Sequence, residues 1–414
     1  SVMRSLVVHH DIGGPGGAEL VVAATVKALH GQGSEVELSS VFKYDKLKFN
    51  GWFGVDVSYV SATHLLPFRI DSFAIYVRLL VHDLMKRKLS RYDELDVLWV
   101  DMPTYGKLKP EIDRIAKHFV EYIHFPLDVM LHDDMMKEGL LFGETEYVNS
   151  RYGNPFMGVY YSTYLKQFRK YCRRNPFDYT DIVVANSNWT AAICERLYGK
   201  KPKVINPPIS SNVKFNQTPP PFEGRKDRFV LLGRFTDEKR YHWVIDEVFP
   251  LIKKEAPGAE VAIVGSAGNE RSTNYVARLR DIAQNRGFSV AVDMNGQADV
   301  RLITNASREL IGNLLDGSKV FMHATANEHW GISVAEAMAA GLPVVVHKSG
   351  GAWSDISMEG RAGDGYDDAM SASKAVVGLM LDGRRWADRS SKSVARAKGL
   401  TVDNFAKEFV GLLS

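Results

Sequence analysis

Short apolar runs alternate with helical patterns along almost all of this 414-residue chain, and the alternation is interrupted once. "SLVV" (5–8) reads as a buried strand. A glycine-rich turn, Gly13 to Gly17, follows it, and "AELVVAATVKALHGQG" (18–33) then carries apolar residues at helical spacing and ends in glycine. "VEL" (36–38), "DVLWVD" (96–101), "HFVEYIHFP" (118–126) and "DIVVANS" (181–187) repeat the strand signal. In "ANSNWTAAICERLYG", Ser187 or Asn188 suits the N-cap of a helix that Gly199 stops. "KVINPPISSNVKFNQTPPPFEGRKDR" (203–228), with five prolines and little periodicity, reads as an interdomain connection. The pattern restarts with "RFVLLGRF", "AEVAIVGSAG", "SVAVDMNG", "SKVFMHAT" and "GLPVVVHKSGG". Such alternation builds parallel sheets with crossover helices. It predicts an α/β chain of two doubly wound, Rossmann-like domains, residues 1–206 and 207–395. The amphipathic stretch within 396–414 ("DNFAKEFVGLL") is expected to pack back on the first domain.

Composition narrows the function. Hydrophobic content of 45% and charged content of 24% are ordinary for a globular protein. A net charge of +3 provides no basic field for nucleic acid. Two cysteines, Cys172 and Cys194, make neither a disulfide framework nor a zinc cluster, and a reducing, cytoplasmic compartment is expected. His9, His10 and His132 have no Cys or Glu at ligand spacing, so no metal site is expected. No run of about 18 apolar residues predicts a membrane span, and the opening residues lack the pattern of a signal peptide.

In open parallel sheets, ligands bind outside the carboxyl ends of the strands. Three turns stand there. The first is Gly13 to Gly17, where glycines let backbone amides approach a phosphate. Its spacing fits neither dinucleotide nor P-loop fingerprints, and a plain Gly-Pro turn explains it as well. The second is "LLGRFTDEKRYHW" (231–243): Arg234 leaves a strand and Lys239 precedes a helix, a cation pair suited to a diphosphate, unless the loop is simply solvated. The third is "NEHWGISVAEAMAAGLPVV" (327–345). Gly331 opens a helix there, and helix-start amides attract anions. Yet the same stretch carries Glu328 and Glu336. A carboxylate repels phosphate, so these two are expected to hold hydroxyls. Glu336, placed in the first helical turn, would take a ribose diol, and Glu328 a sugar beyond the phosphates. A phosphate bridge with a hydroxylated group at each end describes a nucleotide sugar. A capped helix with a chance carboxylate is the alternative.

"HATANEHWGISVAEAMAAGLPVVVHKSGGAWSDI" (323–356) resembles the donor motif of retaining GT-B glycosyltransferases of family four, and among them the dolichol-pathway GDP-mannose:oligosaccharide-lipid α-mannosyltransferases. The Gly-Gly-Ala-Glu turn (16–19), "YIHFP" (122–126), "VVANSNWT" (183–190) and "GRFTDEK" (233–239) extend the similarity back to about residue 11. The resemblance implies a GT-B fold, with two Rossmann-like domains facing a central cleft, the first binding the acceptor and the second the donor. It implies that Glu328 contacts the donor sugar and Glu336 the ribose, and that Arg234 and Lys239 hold the diphosphate. It places the turn with Gly14, Gly16 and Gly17 over the phosphates and His124 near the sugar and acceptor. His329, Trp330, Gly331, Ile332 and Ser333 complete the donor turn, and Gly265 and Ser266 in "GSAG" are candidate base contacts, as is "DMNG" (293–296). Trp330 stands where phenylalanine is usual and Ala352 where proline is usual, and a counterpart of the N-terminal membrane helix of the eukaryotic enzymes is not expected.

Between Tyr147 and Phe177 there are six Lys or Arg, no Asp or Glu, and nine Tyr or Phe, which suits a membrane interface. "FAIYVRLLVHDLMKRKL" (73–89) adds an apolar helix with a basic end, and a buried helix plus a solvated cationic face explains both equally. No Asp-x-Asp occurs, so a metal-held diphosphate is not indicated. The expected function is metal-independent, retaining transfer of a hexose, mannose from GDP-mannose above all, to a lipid-linked glycan. No cofactor is expected, and membrane contact would be peripheral, at the cytosolic face. The alternatives are a UDP-sugar donor, a GT-B epimerase or hydrolase, and a nucleotide-sugar sensor.

Overall fold

The computed structural model describes residues 2–70, 74–102, 108–141, 155–172 and 175–414. The chain divides into two units, one formed by Ser1–Asn212 with Thr401–Ser414 and the other by Val213–Leu400.

Unit 1 is a sheet of seven parallel strands: β1 (Arg4–His9), β2 (Glu35–Ser40), β3 (Ser61–His64), β4 (Leu95–Val100), β5 (Ala116–Ile123), β6 (Ile182–Ala185) and β7 (Lys203–Val204). Their order is β3-β2-β1-β4-β5-β6-β7. Crossover helices cover both faces, which is why β1 and β4 read as continuous apolar runs; Val7 lies between Leu38 and Trp99 and all three are fully buried. The helix Gly17–Gly31 buries Leu20 through Val26 against the sheet. The final helix, Val402–Leu413, packs beside it: Phe405 is buried near Tyr122, and Lys27 reaches Asp403 at 2.9 Å. Ser187 N-caps the helix Asn188–Tyr198 through the Thr190 amide, and Gly199 ends it in a left-handed conformation. The proline-rich stretch belongs in part to this unit, because β7 pairs with β6 and Ile205, Ile209 and Ser210 are buried.

Unit 2 holds seven more parallel strands: β8 (Lys226–Leu232), β9 (Glu260–Gly265), β10 (Val290–Ala291), β11 (Val300–Thr304), β12 (Ser318–His323), β13 (Val344–His347) and β14 (Asp364–Tyr366). Their order is β10-β11-β9-β8-β12-β13-β14. Glu260 accepts from two buried guanidiniums, Arg228 at 2.6 Å and Arg301 at 2.7 Å. Removing it would strand both charges, at a cost of about 3–5 kcal/mol.

Both sheets are wound outward from a central pair of strands, β1 and β4 in unit 1 and β8 and β12 in unit 2. At such a switch point the flanking connections run to opposite sides of the sheet and leave a crevice at the carboxyl ends.

Candidate functional site

In unit 2 the expected donor residues gather at the β8–β12 switch point. At the end of β8 the chain turns through Gly233, which lies against β9: a Cβ built on Gly265 would meet the Gly233 carbonyl oxygen at 1.7 Å. Gly265 is therefore needed for close backbone packing, whatever else it does, and Ser266 accepts from the Phe235 amide at 3.1 Å. Arg234 is exposed, and its side chain makes no hydrogen bond or ion pair among the described residues. Lys239 lies over Gly233, its Cε 3.2 Å from where a Cβ would be, and its Nζ stands 3.7 Å from Glu328 Oε1. In "DMNG", Arg301 fixes the turn by donating to the carbonyls of Asp293, Asn295 and Gly296.

Glu328 sits in the turn that leaves β12. Asn327 adopts a left-handed conformation there, and its N–H donates to Ser349 Oγ at 2.7 Å. The Gly351 N–H donates to the Glu328 carbonyl at 2.8 Å. Gly350, at φ +72°, lies so near that a Cβ would meet that carbonyl oxygen at 2.1 Å. The Ser-Gly-Gly motif is thus the clamp that holds the Glu328 turn. His323 Nε2 lies 3.4 Å from Glu328 Oε1. Burial works against the Glu328 charge, but Lys239, His323 and His329 outweigh it and hold the carboxyl well below the usual range.

The helix Ile332–Ala339 starts at Gly331, at φ +107°, and no side chain caps it. The amides of Ile332 and Ser333 have no acceptor within their own helix. Trp330 is buried, and the Ala352 Cβ closes on Gly331 from the far side. One expectation needs correction: Glu336 is the fifth residue of this helix, beyond its first turn. The dipole's effect fades there, and burial governs the carboxyl instead, raising it to about 7 against the opposing charge of Arg308.

In unit 1, Gly16 caps the helix Gly17–Gly31 and crowds Glu19, whose Oε2 would lie 2.7 Å from a Cβ. Nothing lies within 4 Å of a Cβ at Gly14 or Gly17, so protein packing does not require glycine at either. His124, just beyond β5, is bonded through Nε2 to Asp101 Oδ2 at 2.9 Å. The same oxygen bonds His9 Nδ1 at 2.6 Å. Sequence reasoning missed His9 and Asp101. Both stand where β1 and β4 end, the position where the strand-exit rule directs the search. Beside His124 the Tyr122 ring is fixed by its hydroxyl, which donates to the Ile205 carbonyl at 2.7 Å.

Much of the basic, aromatic stretch lies outside the described residues: 147–154 and 173–174, with Arg173 and Arg174 among them, as does Phe73 of the second segment. In the helix Pro155–Cys172 the aromatic signal divides. Tyr164 and Phe168 are core residues, packed with Val129, Met130 and Ile193, and so are not available to an interface. Val159, Lys166, Arg169 and Lys170 are exposed. In the helix Ala74–Leu89, Val77, Val81 and Met85 are core, and Lys88 is paired with Glu37 at 3.1 Å. Among the described residues, no helix is long and apolar enough to cross a membrane, and no cluster of metal-ligating side chains is present.

The chain is similar to known glycosyltransferases. Residues 213–383 match the family model of glycosyl transferases group 1. The chain is 27% identical, over 265 residues, to the GDP-Man:Man(3)GlcNAc(2)-PP-Dol alpha-1,2-mannosyltransferase of Candida glabrata, covering 63% of this chain and 49% of that one. The chain thus spans about half the length of that relative. A glycosyltransferase from Rickettsia africae superposes with a TM-score of 0.63 at 14% identity, covering 99% of this chain and 97% of that one. HepE of Anabaena, solved with UDP and glucose, superposes with a TM-score of 0.62 at 18% identity, covering 99% of both. The α/β fold is of the GT-B type, two Rossmann-like doubly wound units, and over residues 213–383 the chain carries the glycosyl transferases group 1 domain.

Proposed function

We propose that this protein is a retaining, metal-independent glycosyltransferase that moves mannose from GDP-mannose to a lipid-linked glycan. The observation that carries the reading is the grouping of Lys239, Glu328 and the uncapped Gly331 helix start at the unit 2 switch point, with Arg234 in the turn that leaves β8. Cations and free amides at one switch point suit a diphosphate. Glu328, ionised and acceptor-only, suits sugar hydroxyls. Unit 2 binds the donor, and unit 1, with His124, serves the acceptor.

When the leaving group departs, charge builds on the diphosphate. Arg234, Lys239 and the amides of Ile332 and Ser333 stabilise it as preorganised donors. Attack occurs on the face the leaving group vacates, with a donor phosphate oxygen taking the acceptor proton. The curated relative's name supports mannose and a dolichol-linked acceptor. HepE, bound to UDP and glucose, makes a UDP-sugar the competing donor. Thermal-shift titration with GDP-mannose, UDP-glucose and UDP-N-acetylglucosamine tests the donor, and mass analysis of a lipid-linked mannosyl oligosaccharide after incubation tests transfer. Stabilisation by UDP-sugars alone would overturn the GDP-mannose assignment. Loss of sugar without acceptor would mark a hydrolase, and binding without turnover a sensor.

A further inference from the structure

Four polar side chains from separate elements meet beneath the glycine turn of unit 1: His9 ends β1, Glu19 opens the helix Gly17–Gly31, Asp101 follows β4 and His124 follows β5. Asp101 is the centre. Its carboxylate is 1% exposed, and one oxygen, Oδ2, bonds both His9 Nδ1 at 2.6 Å and His124 Nε2 at 2.9 Å. His9 is 9% exposed at its side chain and stands between Asp101 and Glu19, with Nε2 3.9 Å from Glu19 Oε1. His124 is the member that reaches solvent, 28% exposed.

The proton positions follow from the chemistry. Burial works against charge on Asp101, but His9 and His124 outweigh it and hold the carboxyl well below its usual range. An ionised carboxylate only accepts, so both nitrogens that meet Oδ2 carry hydrogens. Burial also opposes charge on His9, yet Asp101 and Glu19 raise it to about 10, so His9 is an imidazolium that donates from Nδ1. His124 therefore keeps its hydrogen on Nε2, with the ring steadied by Tyr122 at 5.0 Å between centroids.

We propose that His9 and Asp101 are positioning residues that lock His124 in the Nε2–H tautomer, leaving Nδ1 to accept a hydrogen bond from a substrate hydroxyl. The proposal rests on the reading of His124 as a site residue of a glycosyltransferase. A hydrogen-bond partner on one imidazole nitrogen commonly fixes which nitrogen is free for chemistry, and loss of such a carboxylate with retained shape costs about four decades of turnover in a serine-protease triad.

The test is a long-range 1H–15N correlation spectrum of protein labelled with 15N-histidine, with the His124 signals identified by their absence in His124→Gln. The expected wild-type pattern is protonated Nε2 and unprotonated Nδ1. In Asp101→Asn that pattern should become a mixture, while circular dichroism stays native. Turnover should fall about 100- to 10,000-fold, with donor KM changed little. An Nδ1–H tautomer in the wild type overturns the proposal, as does an Asp101→Asn protein with unchanged tautomer and turnover. If Asp101→Asn does not fold, the wild-type spectrum still decides. The spectrum needs no substrate: the expected tautomer together with no transfer from any nucleotide sugar would sink the glycosyltransferase reading and leave the positioning role standing.

Discussion

Lowering the pH from 8 to 6 should weaken binding of the nucleotide sugar about tenfold, through Glu336 alone. Burial raises its carboxyl to about 7, with Arg308 opposing. In the proposed complex its partner is a ribose diol, which donates hydrogen bonds and so selects the carboxylate. With a pKa of about 7, the ionised fraction is about nine-tenths at pH 8, about one-half at pH 7 and about one-tenth at pH 6. Apparent affinity scales with the competent fraction, and a tenfold change corresponds to about 1.4 kcal/mol. Isothermal titration with GDP-mannose is the assay, because its diphosphate diester does not titrate in this range. Repeating it at pH 7 in buffers of different ionisation enthalpy should reveal release of about half a proton. Glu336→Gln should bind more weakly and lose the pH slope. A Kd that is constant from pH 6 to 8, or a slope that persists in Glu336→Gln, would refute the reasoning.

The same shift sets the sign of a stability effect. The Glu336 carboxyl holds its proton more tightly in the fold than in the unfolded chain, where the ordinary value is 4.5. Its contribution to stability is therefore present at low pH and is lost as pH rises from about 4.5 to about 7. At pH 8 Glu336→Gln should thus melt higher than the parent while binding donor less well, the trade expected of a side chain kept for function.

Three further outcomes test the wider reading. Arg234→Ala should cut turnover by about two to three decades, as loss of an oxyanion donor does, and should weaken donor binding; near-normal kinetics would remove Arg234 from the site. EDTA should leave activity largely intact, and activity abolished by EDTA but restored by magnesium or manganese would contradict neutralisation by Arg234 and Lys239. Reversing Lys166, Arg169 and Lys170 to Glu should abolish salt-sensitive binding to anionic vesicles, at roughly 1 kcal/mol per cation, while donor binding survives; unchanged vesicle binding would make the helix Pro155–Cys172 a solvated face.

The parallel halves were legible because strands covered on both sides must be continuously apolar, as in β1, β4, β9 and β12. The strands that escaped were the ones without that constraint. β3 is a polar edge strand, "SATH", and largely exposed. β7 has two residues and β14 three, so neither makes a run. β11, "VRLIT", carries Arg301 as its second residue, which reads as a surface charge until Glu260 and three carbonyls are seen to receive it. The "SVAVDMNG" run yields only Val290 and Ala291 as strand. At the candidate site, turns were legible because glycine and charge mark them. His9 and Asp101 were not, because their partners lie 92 residues apart in sequence and only the order of β1 and β4 brings them together. Glu336 was placed one turn too early because, with the helix beginning at Ile332, the first turn closes at Ala335.

An anion site that carries two carboxylates is workable only if neither repels the anion. In the proposed complex Glu336 meets this by accepting from the ribose diol, and Glu328 by lying 3.7 Å from Lys239 and 3.4 Å from His323. Arg234 and the helix amides then dominate the field that a diphosphate meets. This makes the Lys239–Glu328 pair separable by a double-mutant cycle with two ligands. GDP carries the diphosphate alone and GDP-mannose adds the sugar. Glu328→Gln should leave GDP affinity unchanged or improve it, because a negative charge is removed, yet it should erase the extra affinity for GDP-mannose. Lys239→Met removes a charge-assisted contact of about 1.5–3 kcal/mol and also exposes the diphosphate to an uncompensated Glu328, so GDP should bind about 10- to 150-fold less tightly. Adding Glu328→Gln to Lys239→Met should then restore part of the GDP affinity, a coupling of the kind that appears only between neighbours. Differential scanning fluorimetry of the free variants guards against unfolding. If Glu328→Gln weakens GDP as much as GDP-mannose, Glu328 supports the turn and does not hold the sugar. If the double variant binds GDP no better than Lys239→Met, the carboxylate is not felt at the diphosphate and the compensation argument fails.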